Sequence, residues 1–175
     1  MNPVNRRFAA PLTAVDTDTT VTGEAGGIGS GGTRVEAVKR IVADDPYLVG
    51  HYPELTIYPG VFTIESVHQT VRNWAARQHG ESTAVELAAI ASVSFAAPLY
   101  PGDTMTIGCD LTPMDTPSTP STASTASIPS TPSTLRVKAR CHRADGALAA
   151  RMTLVVRLRT PHPGGAEGEA GHVPA

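Results

Sequence analysis

The residues best suited to chemistry lie in one stretch, from Asp45 to Trp74, where a histidine and a glutamate flank a Tyr-Pro-Gly turn. An imidazole and a carboxylic acid are the groups needed to remove a proton next to a carbonyl and to expel a β-hydroxyl. In this interpretation His51 takes the α-proton, and Glu65, kept protonated by burial, protonates the leaving hydroxyl. Either residue alone is more often a turn or surface residue, so the hypothesis depends on their spacing.

The same stretch contains a predicted helix, from Val61 to about Gln78, that positions the glutamate. Its apolar residues recur at the three- and four-residue spacing of one helical face: Val61, Ile64, Val67, Val71, Trp74 and Ala75. Pro59-Gly60 is typical of a turn that leads into a helix, and His79-Gly80 is typical of a helix end.

Two features of this helix support the acid–base hypothesis. Glu65 and Gln69 lie one turn apart on the same flank, so Gln69 is predicted to hold the Glu65 carboxyl in one orientation. Backbone amides at a helix start have no intrahelical partners and lie at the positive end of the helix dipole. The amides of Gly60 and Val61 are therefore predicted to bind a developing enolate oxygen, and the glycine lets a substrate carbonyl approach closely.

These residues resemble the signature of the β-hydroxyacyl-(acyl carrier protein) dehydratases of fatty-acid synthesis, which have a hotdog fold. That signature is Gly-His-Phe-Pro, a Met-Pro-Gly-Val turn, and then Glu with Gln four residues later. The chain has the same order and the same His-to-Glu separation: Gly50-His51-Tyr52-Pro53, Tyr58-Pro59-Gly60-Val61, Glu65 and Gln69. Other segments are also similar to the family: Arg7-Phe8 to Asp16, Asp45 to Leu48, Phe95 to Asp103 and Cys141 to Leu158.

The resemblance implies a 3-hydroxyacyl-thioester dehydratase that forms a trans-2-enoyl thioester in fatty-acid or polyketide-type synthesis. It implies a substrate carried on the phosphopantetheine arm of acyl carrier protein and no other cofactor. It also implies a homodimer, or a higher oligomer of dimers, in which Glu65 of one subunit faces His51 of the other. Two alternatives stay open: a hotdog acyl thioesterase, which would use a carboxylate to activate water, and a non-catalytic acyl-binding partner subunit.

The chain departs from the family signature at several positions. Tyr52 replaces Phe, and Glu54-Leu55-Thr56 replaces a Gly-x-Pro in the loop behind the histidine. Tyr58 replaces Met and Phe62 replaces Leu, close to where the family binds its acyl chain. Tyr58 and Phe62 are therefore the acyl-pocket candidates, and these changes bear on substrate length and shape.

The expected fold class is α+β, with one long central helix wrapped by a curved antiparallel sheet of about five or six strands. Five strands are predicted at Pro11–Thr22, Arg34–Ala43, Thr104–Leu111, Leu135–His142 and Leu148–Leu158. The period of Glu86–Phe95 is ambiguous, since alanine favours a helix, and the resemblance to the family implies a sixth strand there. A glycine-rich segment at 23–33 is expected to be a hairpin connection and not a phosphate loop. Residues 1–160 are predicted to form a single domain with a disordered Pro/Ser/Thr-rich insertion at 113–134, followed by a disordered tail at 161–175.

Composition excludes several classes of function. A net charge of −2 and a pI near 6.3 leave no electrostatic footprint for nucleic acid, and no apolar run is long enough for a membrane span. Arg6-Arg7 is not followed by an apolar core, so a cytoplasmic location is expected. Cys109 and Cys141 are expected to be small buried hydrophobes.

Several other polar residues have weaker functional interpretations. His68 lies beside Glu65 on the helix and could tune it or line the pocket, although a packed or solvated role is favoured. No pair of histidines has a convincing metal-ligand setting, so no metal is predicted. Arg72, Arg77 and Arg136 are candidates for docking the acidic carrier protein, and the alternative for each is an ordinary surface charge.

Overall fold

A computed structural model describes residues 12–21, 32–45, 47–48, 51, 54–114 and 134–159. It contains one helix and six strands in the order β1 (Thr17–Val21), β2 (Thr33–Arg40), α1 (Gly60–His79), β3 (Ala84–Phe95), β4 (Thr104–Pro113), β5 (Thr134–Arg143) and β6 (Leu148–Arg159). The strands form one antiparallel sheet in the order β1-β2-β4-β5-β6-β3. The expected architecture of a single helix against a six-stranded antiparallel sheet is therefore confirmed.

The helix packs against one face of the sheet, which carries the core. Alternate residues of β4, β5 and β6 are buried, as expected for a sheet with one covered face. The helix contributes Val67, Val71, Trp74 and Ala75 to this core. Burying one valine side chain stabilises the fold by about 1.5–3 kcal/mol. The apolar stripe therefore determines which flank of the helix remains at the surface.

The helix ends are close to those predicted. The helix begins at Gly60 after Pro59 and ends at His79. The capping residue is Gly80, whose φ of 98° suits glycine and whose amide donates to the Ala76 carbonyl at 2.9 Å. Two polar residues on its buried face satisfy their hydroxyls locally, since Thr70 donates to the Ser66 carbonyl and Ser66 to the Phe62 carbonyl, both at 2.8 Å. Among the described residues, no helix is both long and apolar enough to cross a bilayer.

The two cysteines lie where the sequence predicted. Cys109 on β4 and Cys141 on β5 are buried and unoxidised, on the face that packs against the helix. Burial raises the pKa of the Cys109 thiol far above its ordinary value and that of Cys141 to about 12. Both thiols therefore remain protonated at neutral pH and act as small hydrophobes.

The first two strands are shorter than predicted, for identifiable reasons. The predicted strand at Pro11–Thr22 begins only at Thr17, because the backbone before it bonds to the Gln69 side chain on the helix. The Leu12 carbonyl accepts from Gln69 Nε2, and the Ala14 amide donates to Gln69 Oε1. The predicted strand at Arg34–Ala43 ends at Arg40, because the amide and carbonyl of the next residue bond to the loop before β4.

The predicted Pro/Ser/Thr-rich insertion joins two paired strands. Strands β4 and β5 pair up to the register Pro113–Leu135, and the amide of Met114 donates to the Thr134 carbonyl at 3.0 Å. The insertion therefore extends from the end of a β-hairpin. Residues 22–31, 115–133 and 160–175 lie outside the described residues, and with them most of the glycine-rich segment predicted at 23–33, most of the insertion and the predicted tail. Gly50, Tyr52 and Pro53 of the histidine motif also lie outside the described residues.

Candidate active site

The histidine of the signature is held by a backbone carbonyl. His51 Nδ1 lies 2.9 Å from the carbonyl oxygen of Ile57, six residues further on. A carbonyl oxygen can only accept a hydrogen bond, so Nδ1 carries the proton in this arrangement. In the neutral imidazole, Nε2 then carries the lone pair. A histidine fixed in this tautomer is prepared to act as a base at Nε2.

The helix start presents two backbone amides. The amides of Phe62 and Thr63 both donate to the Pro59 carbonyl, at 2.9 and 3.2 Å. The amides of Gly60 and Val61 precede them and have no carbonyl within the helix to bond to. They also lie at the positive end of the helix dipole, so this end of α1 has the geometry expected of a site for a developing oxyanion.

A close aromatic contact explains the glycine at the helix start. A Cβ atom added to Gly60 would lie 2.7 Å from Cζ of Phe95, at the end of β3. A real Cβ does not come this close to another carbon, so the Phe95 ring occupies the space that a side chain would need. The sequence contains no signal for this contact between residues far apart in the chain.

Gly60→Ala is expected to lower kcat/KM for the proposed substrate by about 10²-fold, because the new methyl group displaces the Phe95 ring and obstructs the approach to the amides. Stability should change by only about 1 kcal/mol, since the half-exposed ring can move and alanine favours the helix. Steady-state kinetics and thermal unfolding measure the two effects. Adding Phe95→Leu to Gly60→Ala should restore part of the activity. Wild-type rates in Gly60→Ala alone would contradict the assignment of the Gly60 and Val61 amides as the oxyanion site.

Glu65 is oriented by its neighbour one turn later. Gln69 Nε2 donates to Glu65 Oε1 at 3.2 Å and to the Leu12 carbonyl at 2.8 Å, while Gln69 Oε1 accepts from the Ala14 amide at 3.0 Å. Because a backbone N–H can only donate, the Ala14 contact fixes which end of the Gln69 amide faces Glu65. The N-terminal segment thus sets the orientation of the glutamate through Gln69, a link that sequence reasoning missed.

The second carboxylate oxygen faces a histidine. Oε2 of Glu65 lies 3.4 Å from Nδ1 of His68, whose side chain is only 15% exposed. The favoured prediction for His68, a packed or solvated residue without a role toward Glu65, is therefore incomplete: the ring is packed and also touches the candidate acid.

The expected burial of Glu65 is not present within one chain. Its side chain is 37% exposed, because Glu65 lies on the flank of the helix and not on the stripe that packs into the core. A second subunit or a bound substrate would be needed to cover it. The predicted burial of Glu65 is therefore not found in the single chain.

A groove of about 470 Å3 opens beside the helix start. Its lining is mostly apolar and includes Ile57, Tyr58, Gly60, Val61, Phe95 and Leu99. Apolar walls next to two backbone amides suit an acyl chain joined to a polar carbonyl. Of the described residues, His51 and Glu65 both lie outside this lining in a single chain, although Ile57 both lines the groove and holds His51.

The two acyl-pocket candidates occupy different positions. Tyr58 lines the groove and is buried, with its hydroxyl 3.3 Å from Ser66 Oγ and its ring edge-on to Phe62. Burial raises the pKa of Tyr58 to about 12, assisted by the charges of Asp45, Asp16 and Glu65. Its hydroxyl therefore stays neutral. Phe62 packs between Tyr58 and Tyr47 and supports the groove wall from behind.

The three candidate docking arginines do not form one patch. Arg77 is ion-paired with Asp18 at 2.7 Å, and Arg72 is exposed on the helix. Arg136 is exposed on β5, between buried neighbours, so it lies on the face of the sheet opposite the helix. A single partner contacting the helix would not reach all three residues.

Comparison with solved structures defines the class of fold. Similar structures include a Thermus thermophilus member of the thioesterase superfamily, with a TM-score of 0.53 and 9% identity over 74% of this chain and 82% of that one. The fluoroacetyl-CoA thioesterase FlK has a TM-score of 0.55 and 14% identity over 73% and 86%. A hot-dog-like protein from Thermanaerovibrio acidaminovorans has a TM-score of 0.53 and 13% identity over 74% and 82%. At these identities the likeness concerns the fold alone, which is the hotdog fold.

Comparison with protein families identifies the chain more closely. The family model described as ApeI-like, ApeI dehydratase, matches residues 29–125, more than half of the chain. The chain therefore belongs to the ApeI-like dehydratase family. It is also similar to the 3-hydroxyacyl-[acyl-carrier-protein] dehydratase FabZ of Actinobacillus pleuropneumoniae, 36% identical over 78 residues, which cover 43% of this chain and 51% of that protein. FabZ of Psychromonas ingrahamii is 35% identical over 79 residues, 43% and 53% of the two chains, so this chain spans about half the length of the curated relatives it matches.

Proposed function

We propose that this protein is a dehydratase that removes water from 3-hydroxyacyl thioesters carried on acyl carrier protein and leaves trans-2-enoyl thioesters. The reaction would serve fatty-acid or polyketide-type synthesis in the cytoplasm. The observation that carries the proposal is the hydrogen bond between His51 Nδ1 and the Ile57 carbonyl, at 2.9 Å, because it leaves the basic lone pair on Nε2. The similarity of the chain to the FabZ dehydratases supports this substrate class and reaction, and its membership of a dehydratase family supports the reaction.

The reaction would proceed through an enolate. His51 Nε2 takes the α-proton, and the electrons of the C–H bond move into the thioester carbonyl, whose oxygen becomes negative. The Gly60 and Val61 amides bind this oxygen at the helix start. The enolate then re-forms the carbonyl and expels the β-hydroxyl, which receives a proton from Glu65 and leaves as water. Gln69 holds Glu65 in position.

A dimer would complete the site, and strand β3 is the surface that we propose for pairing. β3 is twelve residues long and lies at the edge of the sheet. Four of its large apolar side chains are 40–51% exposed: Leu87, Ile90, Val93 and Phe95. A long apolar edge strand is a template for pairing with another strand. A second copy of the chain would cover this edge, and the end of β3 would bring the second copy beside the groove lined by Phe95.

Ile90→Lys is expected to weaken dimerisation by about 10²-fold or more, because it places a charge within the apolar edge. Sedimentation at several concentrations measures the association. Val42→Lys is the matched control, since Val42 is 44% exposed, close to the 47% of Ile90, but lies in the loop after β2. If both variants associate as the wild type does, pairing through β3 is wrong.

Product analysis tests the proposed reaction directly. Purified protein is incubated with a panel of 3-hydroxyacyl carrier-protein substrates. The mass of the acyl group on the phosphopantetheine arm of the carrier protein is then measured by mass spectrometry. Loss of one water with retention of the thioester is the expected result. Release of free acid and thiol would instead indicate a thioesterase. No turnover by the dimer, with activity only when a second protein is added, would indicate a non-catalytic partner subunit.

A further inference from the structure

A second cavity, the outer pocket, lies on the face of the sheet opposite the helix. It has a volume of about 410 Å3 and is formed by residues of β3, β4, β5 and β6. Its lining includes three cations and three hydroxyl groups: Lys138, Arg140, Arg151, Ser92, Ser94 and Thr153. Cations and hydroxyl donors gathered in one place suit an anion and not an acyl chain.

Two arginines face each other in the outer pocket. Arg140 on β5 is directly opposite Arg151 on β6 in the register of the sheet, and both side chains are exposed between buried neighbours. Like charges directly opposite each other on neighbouring strands destabilise a sheet. Neither arginine has an ion-pair partner among the described residues. An anion held between the two guanidinium groups would offset this repulsion.

The acid beside these cations is already neutralised. Of the described residues that line the outer pocket, Asp110 alone is acidic, and its carboxylate pairs with Arg34 at 3.1 Å. Lys138 is directly opposite Asp110 in the register but forms no ion pair with it. The pocket therefore has an excess of positive charge, although the whole chain has a net charge of −2.

The hydroxyl groups extend the rows of cations across the sheet. Ser94 on β3 is opposite Arg151, and Thr153 on β6 lies between Lys138 and Ser92. The two rows lie about 7 Å apart along the strands, because they are separated by two residues. Guanidinium groups bind phosphate through two parallel hydrogen bonds, and hydroxyl groups donate to further phosphate oxygens. The described lining contains no aromatic ring on which a nucleobase would stack, so phosphate is the group that this pocket suits.

We propose that the outer pocket binds the phosphate groups of a small molecule, such as pyrophosphate, between Arg140, Arg151 and Lys138. This site is separate from the proposed dehydratase site and does not depend on it. The acyl groove is on the helix face of the sheet, where Phe95 and Ala150 line it, whereas the outer pocket is on the opposite face. Pairing of two chains through β3 adds strands at the edge of the sheet and leaves the outer face open.

Binding of phosphate compounds tests the site directly. Calorimetric titration of the full-length protein with phosphate, pyrophosphate and triphosphate, at low and matched ionic strength, should show saturable binding of one ligand per chain. Arg140→Gln and Arg151→Gln should each weaken it about tenfold or more, because each removes a charge-assisted hydrogen bond. Arg136→Gln is the matched control, since Arg136 is exposed on the same face of β5 but outside the pocket. An absence of saturable binding, or an equal loss in Arg136→Gln, would overturn the proposal.

Thermal unfolding tests the repulsion between the two arginines. Without phosphate and at low salt, Arg151→Gln should unfold about 1–3 °C above the wild type, because it removes one of two opposed like charges. With saturating pyrophosphate the order should reverse, since a ligand that binds only the folded state stabilises the protein that binds it. Arg136 is opposite Val155, so Arg136→Gln should unfold as the wild type does under both conditions. A lower unfolding temperature for Arg151→Gln without ligand would contradict the repulsion.

Two further results would assign the outer pocket differently and overturn the proposal. One is binding of carrier protein without its phosphopantetheine arm, lost in Arg140→Gln, in a protein that does not bind pyrophosphate; the pocket would then bind an acidic protein surface. The other is a rise in KM for carrier-bound substrate when pyrophosphate is added, which would make the phosphate site part of the substrate site. Intact pyrophosphate binding in a protein without dehydratase activity would support the pocket and count only against the proposed function.

Discussion

Glu65→Gln is expected to lower kcat for dehydration by about 10²–10⁴-fold, the usual effect of removing a general acid. Glutamine has nearly the same shape, and its side-chain oxygen can still accept from Gln69 Nε2, which lies 3.2 Å from the native carboxyl. It has no acidic proton, however, for the leaving hydroxyl. KM should change little, because the groove is lined by other residues. Steady-state formation of the enoyl thioester measures both parameters.

The control for this substitution is Glu36→Gln. Glu36 is 42% exposed, close to the 37% of Glu65, but its carboxylate pairs with Arg34 on β2, away from the helix. It tests whether the loss of any half-exposed carboxylate impairs the protein. Equal rates for Glu65→Gln and the wild type would remove Glu65 from the mechanism.

His51→Ala is expected to lower kcat by a similar factor of about 10²–10⁴, because it deletes the base. The two variants should differ in a second reaction, the exchange of the α-proton of the hydroxyacyl substrate in deuterated water. Glu65→Gln keeps the base and should still exchange this proton, whereas His51→Ala should not. His142→Ala controls for the loss of a histidine outside the candidate site. Exchange that persists in His51→Ala would show that another group removes the proton.

The helix and the sheet could be predicted because their signals are local. Apolar residues at three- and four-residue spacing predicted α1 to within one residue at each end. The alternation within Arg34–Ala43 predicted β2, whose buried residues also alternate, in the same way. Strand β3 was harder to predict, because its alanines favour a helix and all but Val85 in the strand are exposed. It lacks the alternation of buried and exposed residues that β2, β4, β5 and β6 have.

The supports of the candidate site could be predicted only in part. Helix geometry predicted the contact between Gln69 and Glu65, because residues four apart are neighbours on a helix. The contacts of Gln69 with Leu12 and Ala14 cross more than fifty positions of the chain and leave no local pattern. The Phe95 ring over the helix start is equally long-range. Such contacts depend on how the whole sheet curves around the helix.

Mixing two inactive variants tests most directly whether His51 of one chain and Glu65 of another form one site. His51→Ala and Glu65→Gln are unfolded together in equal amounts and refolded, and native mass spectrometry counts the mixed dimers. Each mixed dimer would contain one site with both substitutions and one intact site, so random pairing should restore about a quarter of the wild-type rate. Activity that stays at the level of the separate variants, although mixed dimers have formed, would contradict a site shared between two chains.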